Sequence, residues 1–193
     1  GQDVMILLES LGERALSRRY TIRDFDAAQR LLHIEVVQHD ADGPGQRWIS
    51  DVRPGEVVSV VGPRGKITLD ADADWHLFVG DESFIPGALN MMEALPPSTP
   101  ALAFMQVAGA EDEAASAPNG SNKQLTWLHR GDGDEADASR LVEAINRAQL
   151  PSGHGHAYIA GEVQFTAALE KALLAKGLAP DQLSPKAYWG RAK

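Results

Sequence analysis

The stretch Arg18-Arg19-Tyr20-Thr21-Ile22-Arg23 reads as a β-strand, because Tyr, Thr and Ile all favour the pleated backbone. Alternation then puts Arg18, Tyr20 and Ile22 on one side and Arg19, Thr21 and Arg23 on the other. A cation, a flat ring and a hydroxyl lie within a few residues of one another. Such a trio suits a flavin dinucleotide, with a guanidinium for the pyrophosphate, a ring for the isoalloxazine and a hydroxyl near its reactive edge. The same alternation is also that of an ordinary half-exposed strand, and spacing alone leaves both readings open.

Around this stretch the chain divides in two. Residues 4–8, 18–24, 31–38 and 57–61 read as closely spaced strands, with a polar turn at 9–13 and Gly/Pro turns at Pro54-Gly55 and Gly62-Pro63-Arg64-Gly65. Little helix separates them, which predicts an antiparallel sheet or barrel up to about residue 70. The first residues already read as a strand, so the chain is expected to begin partway into a domain. From residue 75 the pattern changes to strands at 75–80, 101–108, 124–129 and 156–160, alternating with helices at 84–95, 136–148 and 163–175. That alternation predicts parallel βα units in a small doubly wound domain. The boundary is placed near residues 66–74, giving domains 1–70 and 71–193, the second ending in a Tyr-Trp tail. The Ala-, Ser-, Pro- and Gly-rich segment 111–122 reads as a mobile loop.

The 193 residues can bury a proper core, and 44% hydrophobic with 23% charged residues is the balance of an ordinary globular protein. A net charge of −9 argues against nucleic acid or an anionic membrane surface as a general partner. Against that background Arg14, Arg18, Arg19 and Arg23 make a local cationic patch, suited to a specific anionic ligand or to a solvated strand edge. There is no cysteine, so disulfides and thiolate chemistry are excluded and any redox step belongs to an organic cofactor or a bound substrate. No apolar run is long enough to span a bilayer, and membrane insertion is not expected.

Several loops carry candidate sites. Gly43-Pro44-Gly45-Gln46-Arg47-Trp48 follows His39-Asp40; its glycines permit close approach to backbone amides, and a short helix starting near Gln46 would point its amino end at an anion. A Gly-Pro-Gly turn is equally a plain turn. Gly80-Asp81-Glu82-Ser83 sits where a nucleotide-binding βα loop belongs, yet its acids repel phosphate, and Asp81 and Glu82 suit capping of the next helix. Ala160-Gly161-Glu162 closes a strand at the carboxyl edge where α/β ligands bind, or is a tight turn with a capping Glu. His154 and His156 have no third metal ligand nearby, so no metal site is assigned. Hydrolase and Walker motifs are missing.

Taken in order, these segments resemble the siderophore-interacting protein family, flavin-dependent ferric-siderophore reductases of the ferredoxin-reductase superfamily. The resemblance rests on Arg18 to Arg23, His39-Asp40 with Gly43 to Trp48, Gly62-Pro63-Arg64-Gly65, Gly80 to Ser83 with Pro86, Trp127-Leu128-His129-Arg130, Ala160-Gly161-Glu162, and Tyr188-Trp189-Gly190-Arg191. It implies an antiparallel FAD-binding barrel, here lacking its first strands, followed by a parallel-sheet NAD(P)H-binding domain. It implies FAD contacts from Arg18, Tyr20, Thr21, His39, Gly43, Gly45 and Trp48. NAD(P)H would meet Gly80, Asp81, Glu82, Ser83, Trp127, Arg130, Ala160, Gly161 and Glu162. Arg64 and Arg191 would attract an anionic ferric siderophore. The implied protein is a cytoplasmic monomeric oxidoreductase of iron transport whose chemistry is flavin-mediated, with no catalytic side chain of its own. A general flavin reductase with another acceptor and a flavin-free chelate-binding module are the alternatives.

Overall fold

The computed structural model describes residues 1–11, 14–38, 43–65, 67–114 and 120–190, with backbone alone for 9–11, 14 and 15. The chain forms two compact units, Gly1–Thr68 and Leu69–Lys193.

The first unit is an antiparallel sheet of β1 (Asp3–Leu11), β2 (Arg14–Asp26), β3 (Leu31–Ile34) and β4 (Ser59–Arg64), in the order β3-β2-β1-β4, with one helix, α1 (Pro44–Asp51). The β1–β2 hairpin runs on through the expected polar turn, pairing Glu9 with Leu16 and Leu11 with Arg14 after a bulge at Leu7/Glu9. Poor strand formers are held there because their backbone partners are in place, which outweighs intrinsic preference. β2 turns into β3 through Asp26, whose carboxylate accepts from the amides of Ala28 and Gln29. Those donors stabilise the charge, the Gln29 amide most of all, and hold the Asp26 carboxyl below its ordinary range. β3 is shorter than the expected 31–38, since pairing ends at Ile22↔Ile34, and β4 starts two residues later than expected. Among the described residues of this unit, Val4 and Ile6 are the fully buried hydrophobic side chains, whereas Val57 is 98% exposed.

The second unit is a parallel sheet of β5 (Trp75–Gly80), β6 (Ala101–Val107), β7 (Lys123–His129), β8 (Gly155–Glu162) and β9 (Leu183–Trp189), in the order β7-β6-β5-β8-β9. The residues expected as a terminal tail are therefore an edge strand. Helices α2 (Ile85–Ala94), α3 (Ser139–Arg147) and α4 (Val163–Ala175) connect the strands. α2 is preceded by a single 3-10 turn at Glu82–Phe84 and takes Pro86 in its first turn, where no intrahelical N–H is needed. β5 and β8 are buried along their whole length, as central parallel strands must be.

Alternation separates two chemistries across this sheet. Trp75, Leu77, Val79, Ala157 and Ile159 pack against Leu141 and Ile145 of α3 and Phe165, Leu169 and Leu173 of α4; each fully buried large side chain contributes about 1.5–3 kcal/mol. The other face stacks His76, Phe78, Tyr158 and His156, with Phe78 and Tyr158 centroids 5.0 Å apart. Here polar groups close a network: the Asp70 amide donates to Tyr158 Oη at 2.8 Å, His76 Nδ1 lies 3.3 Å from the same oxygen, and His156 bridges Asp70 Oδ2 at 3.1 Å and Ser184 Oγ at 2.8 Å. Burial pushes the Tyr158 phenol up to about 12 and, helped by His156, pulls His76 below 6.5.

Candidate functional site

In the first unit Tyr20 stands on β2 with Arg18 two residues before it, on the same face. The amino end of α1 comes against both: a Cβ on Gly45 would lie 3.2 Å from Tyr20 Oη and 3.4 Å from Arg18 Cγ. Trp48, one turn along α1, sets its ring 6.0 Å from that of Tyr20 at a tilt of 32°. Tyr20 is half-buried, and its phenol is raised by that burial against the opposing field of Arg18. The Arg18 guanidinium is exposed and donates to Ser17 O at 2.9 Å. α1 begins at Gly43 with Pro44 and carries no acid in its first turn, so its amino end is positive. The structure thus brings Arg18, Tyr20, Gly45 and Trp48 together: two aromatic rings, a guanidinium and a helix N-terminus, a set that suits a planar, anionic dinucleotide.

The neighbouring residues do other work. Arg19 is clamped on Asp3 through Nε and Nη2 at 2.8–2.9 Å, and Arg23 lies 3.5 Å from Glu35. Thr21 is half-buried opposite Asp3, and Gly43 has open space where a side chain would be. Arg64 ends β4 exposed. His39 and Arg191 lie outside the described residues.

In the second unit the carboxyl ends of β5 and β8 meet, and Asp81 joins them. Its Oδ1 accepts from Ser83 N at 2.9 Å and Ser83 Oγ at 2.5 Å; its Oδ2 accepts from Glu162 N at 2.8 Å and Trp189 Nε1 at 3.1 Å. Burial pushes this carboxyl up, while the donors from Ser83 and Glu162 favour its charge. Glycine is required twice here. A Cβ on Gly80 would stand 2.4 Å from Ala160 O, and Gly161, at φ +148°, would drive one to 2.5 Å from Asp81 Oδ2. Glu162 caps α4 by accepting from the amides of Gln164 and Phe165. Asp81 and Glu162 therefore shape the loop with side chains already engaged by the protein, and Gly80, Ser83, Ala160 and Gly161 form the edge around them. Arg130, just past the end of β7, pairs with Glu82 through Nη1, with Glu135 3.8 Å from Nη2. Trp127 is half-buried on β7, in register with Met105.

Sequence reasoning did not find Trp189 as a partner of Asp81, because 108 residues separate them. Nor did it find the Asp70–His156–Ser184 chain of hydrogen bonds; the His154-x-His156 spacing drew attention to His156 without pointing to its partners. Among the described residues no group of three or more His, Cys, Asp or Glu side chains is arranged to hold a metal.

Comparison with known proteins decides the family. The model of the siderophore-interacting protein family matches residues 73–192, and that of the siderophore-interacting FAD-binding domain matches residues 5–67. This chain belongs to the siderophore-interacting protein family. It is 30% identical over 183 residues to the ferric vibriobactin reductase ViuB of Vibrio cholerae, covering 93% of this chain and 66% of that one. It is 28% identical over 183 residues to the NADPH-dependent ferric-chelate reductase of Escherichia coli, covering 92% and 68%. A siderophore utilization protein from T. fusca superimposes with a TM-score of 0.84 at 29% identity, covering all of this chain and 80% of that one. The chain spans about half the length, 54%, of a Mycobacterium bovis protein that it also matches. FAD is the cofactor of the domain family that the first unit matches, and the residues present fit it. The Gly45 backbone lies close enough that an added Cβ would sit tightly on Tyr20 Oη, beneath an aromatic pair that keeps an exposed guanidinium beside it.

Proposed function

We propose that the protein reduces ferric siderophores with electrons from a nicotinamide nucleotide through FAD, in the cytoplasm where that reductant is supplied. The single observation carrying this reading is the cradle of Arg18, Tyr20, Gly45 and Trp48 on the unit matched by the FAD-binding family model. FAD, when bound, converts the two-electron hydride chemistry of a nicotinamide into the one-electron steps that iron requires. The chain's own groups bind and orient. The Arg18 guanidinium and the amino end of α1 neutralise a pyrophosphate, and Tyr20 and Trp48 supply aromatic faces for a flat ring system. In the second unit the Gly80–Ser83 and Ala160–Glu162 turns lie together at the carboxyl edge of the sheet, where ligands of open α/β sheets bind. Arg64 and Arg191 are the cations assigned to the anionic substrate. Reduction loosens the iron, since hard oxygen donors hold the smaller, more highly charged ferric ion more strongly than the ferrous ion.

The test is optical. Protein loaded with FAD is expected to lose its flavin absorbance under a nicotinamide nucleotide without oxygen and to regain it on addition of a ferric siderophore, with ferrous iron trapped by a chromogenic chelator. Recovery with quinones or dyes but not with ferric chelates would point to a general flavin reductase. Failure to take up FAD at all would defeat the reading.

A further inference from the structure

Arg130 is the residue that a phosphate-bearing nucleotide would be expected to seek at the carboxyl edge of the second unit's sheet, yet its charge is already spent. Its Nη1 contacts Glu82 Oε1 and its Nη2 faces Glu135 Oε1 at 3.8 Å, with the Arg130 and Glu82 side chains only 12% and 15% exposed. Its backbone is fixed as well: the Arg130 amide donates to Val107 O at 2.9 Å, and its carbonyl accepts from Gly133 N at 3.2 Å. The group therefore sits as a closed cluster of one cation and two carboxylates, with a net negative charge.

The surroundings add more of the same sign. Among the described residues of the loops at 81–84, 108–114 and 130–138, Arg130 is the one Lys or Arg, while Glu113, Asp132 and Asp134 are further acids. Glu113 is paired with His129, 2.7 Å away, so that imidazole too is already engaged. The next cation along the chain, Arg140, follows Asp137, whose carboxylate accepts from both Ser139 N and Ser139 Oγ. In sheets of this kind the 2′ position of the adenine ribose is read by one of two devices: a carboxylate that accepts from a 2′-hydroxyl, or an arginine that meets a 2′-phosphate. Here the arginine is occupied and the carboxylates outnumber it. A 2′-phosphate would have to displace Glu82 from Arg130 and then lie against Glu135, a like-charge contact. A ribose diol needs no displacement, because its hydroxyls donate and the carboxylates accept.

We infer that this chain selects a nicotinamide nucleotide without a 2′-phosphate, NADH over NADPH, with Glu82 and Glu135 as the specificity-determining residues and Arg130 as the positioning residue that holds them. The inference rests on the reading of this edge as a nucleotide site, and it separates the chain from the relative named as NADPH-dependent.

The experiment is an NMR titration of the whole isotope-labelled chain with 5′-AMP and, separately, 2′,5′-ADP, following the amides of His129, Arg130 and Gly131 and the Arg130 side-chain N–H. It needs neither flavin nor turnover. Expected is binding of 5′-AMP at least about tenfold tighter than 2′,5′-ADP, because the added phosphate meets a like-charged cluster. The double substitution Glu82→Gln with Glu135→Gln should release Arg130 and shift the ratio toward 2′,5′-ADP by a similar factor, with the remaining amide spectrum unchanged as the check on folding. Tighter binding of 2′,5′-ADP by the unaltered chain, or a ratio unmoved by the double substitution in a folded protein, would overturn the selection while leaving the nucleotide site intact. Shifts at these amides with neither compound would overturn nothing less than the nucleotide site itself.

Discussion

Replacing Asp81 by alanine tests the tie that joins three loops of the second unit. The carboxylate is 2% exposed and accepts four hydrogen bonds, two on each oxygen, from Ser83 N, Ser83 Oγ, Glu162 N and Trp189 Nε1. Alanine removes both acceptor oxygens, and with them all four bonds, and leaves the Glu162 amide buried without a partner. A buried donor stranded in this way costs about 1–3 kcal/mol, and each charge-assisted bond lost adds a comparable amount before water compensates the more exposed donors. Escape from burying a charge offsets part of the sum, since burial already disfavours the ionised form. The net expectation is about 4 kcal/mol, at the upper end of single substitutions. Asparagine separates the contributions. Its oxygen keeps Glu162 N and Trp189 Nε1, and its amide nitrogen can donate to a turned Ser83 hydroxyl at the cost of the bond from Ser83 N; the loss should fall to about 1–2 kcal/mol. For a chain of this size each kcal/mol moves Tm by about 2–4 °C, so alanine should lower Tm by about 8–16 °C and asparagine by about 2–8 °C. Thermal unfolding by circular dichroism reads the stability, and the indole N–H resonance of Trp189 reads the bond directly. An alanine variant within about 1 kcal/mol of the unaltered protein, with the Trp189 resonance unmoved, would refute the assignment of Asp81 as the tie.

Tyr20→Ala should weaken FAD binding by about tenfold or more, the worth of one stacked aromatic face, in a fluorescence titration of the apoprotein; unchanged affinity would remove Tyr20 from the flavin site. Gly80→Ala forces a Cβ to 2.4 Å from Ala160 O and 2.8 Å from Phe84 Cβ, and is expected to cost about 1–3 kcal/mol or more by overpacking backbone against backbone, with little folded protein recovered at the upper end. Tyr158→Phe removes the acceptor of the Asp70 amide, for about 1–3 kcal/mol, and hydrogen exchange at that amide should accelerate by the matching factor. His76 is held below 6.5 in the folded protein, by burial first and by His156 second. Its contribution to stability is therefore full above 6.5 and is lost as pH falls through the lowered folded value. Denaturant midpoints should fall below pH 6.5 and His76→Phe should flatten that slope; an identical slope in the variant would place the proton elsewhere.

Local pattern carried the architecture a long way. The apolar run at 75–80 is β5 to the residue and 163–175 is α4 to the residue, because a central parallel strand is apolar throughout and a helix needs only its cap and its period, both of which are local. The alternation at 18–23 placed Arg18 and Tyr20 on one face by the two-residue period of the strand, and Gly43 to Trp48 announced a helix amino end. Local pattern gave the antiparallel-then-parallel succession and put Arg18 and Tyr20 on one face, while the family came from the resemblance of these motifs taken in order.

What the chain could not state locally was decided by partners distant along it. The edge strand β9 exists because Leu183 to Trp189 find β8; on their own, Ser184, Pro185 and Lys186 have little strand preference. Asp81 looked like a helix cap and is one, yet its other oxygen holds Glu162 and Trp189, a role that exists only once β5, β8 and β9 lie side by side. Arg130 was expected, from the family resemblance, to line the nucleotide site, and folding pairs its guanidinium with Glu82 forty-eight residues away, a contact that no local pattern announced. The physical reason is common to all three. Secondary structure is chosen by interactions within a few residues, whereas the charge and hydrogen-bonding state of a buried side chain is set by whichever group the fold brings to it.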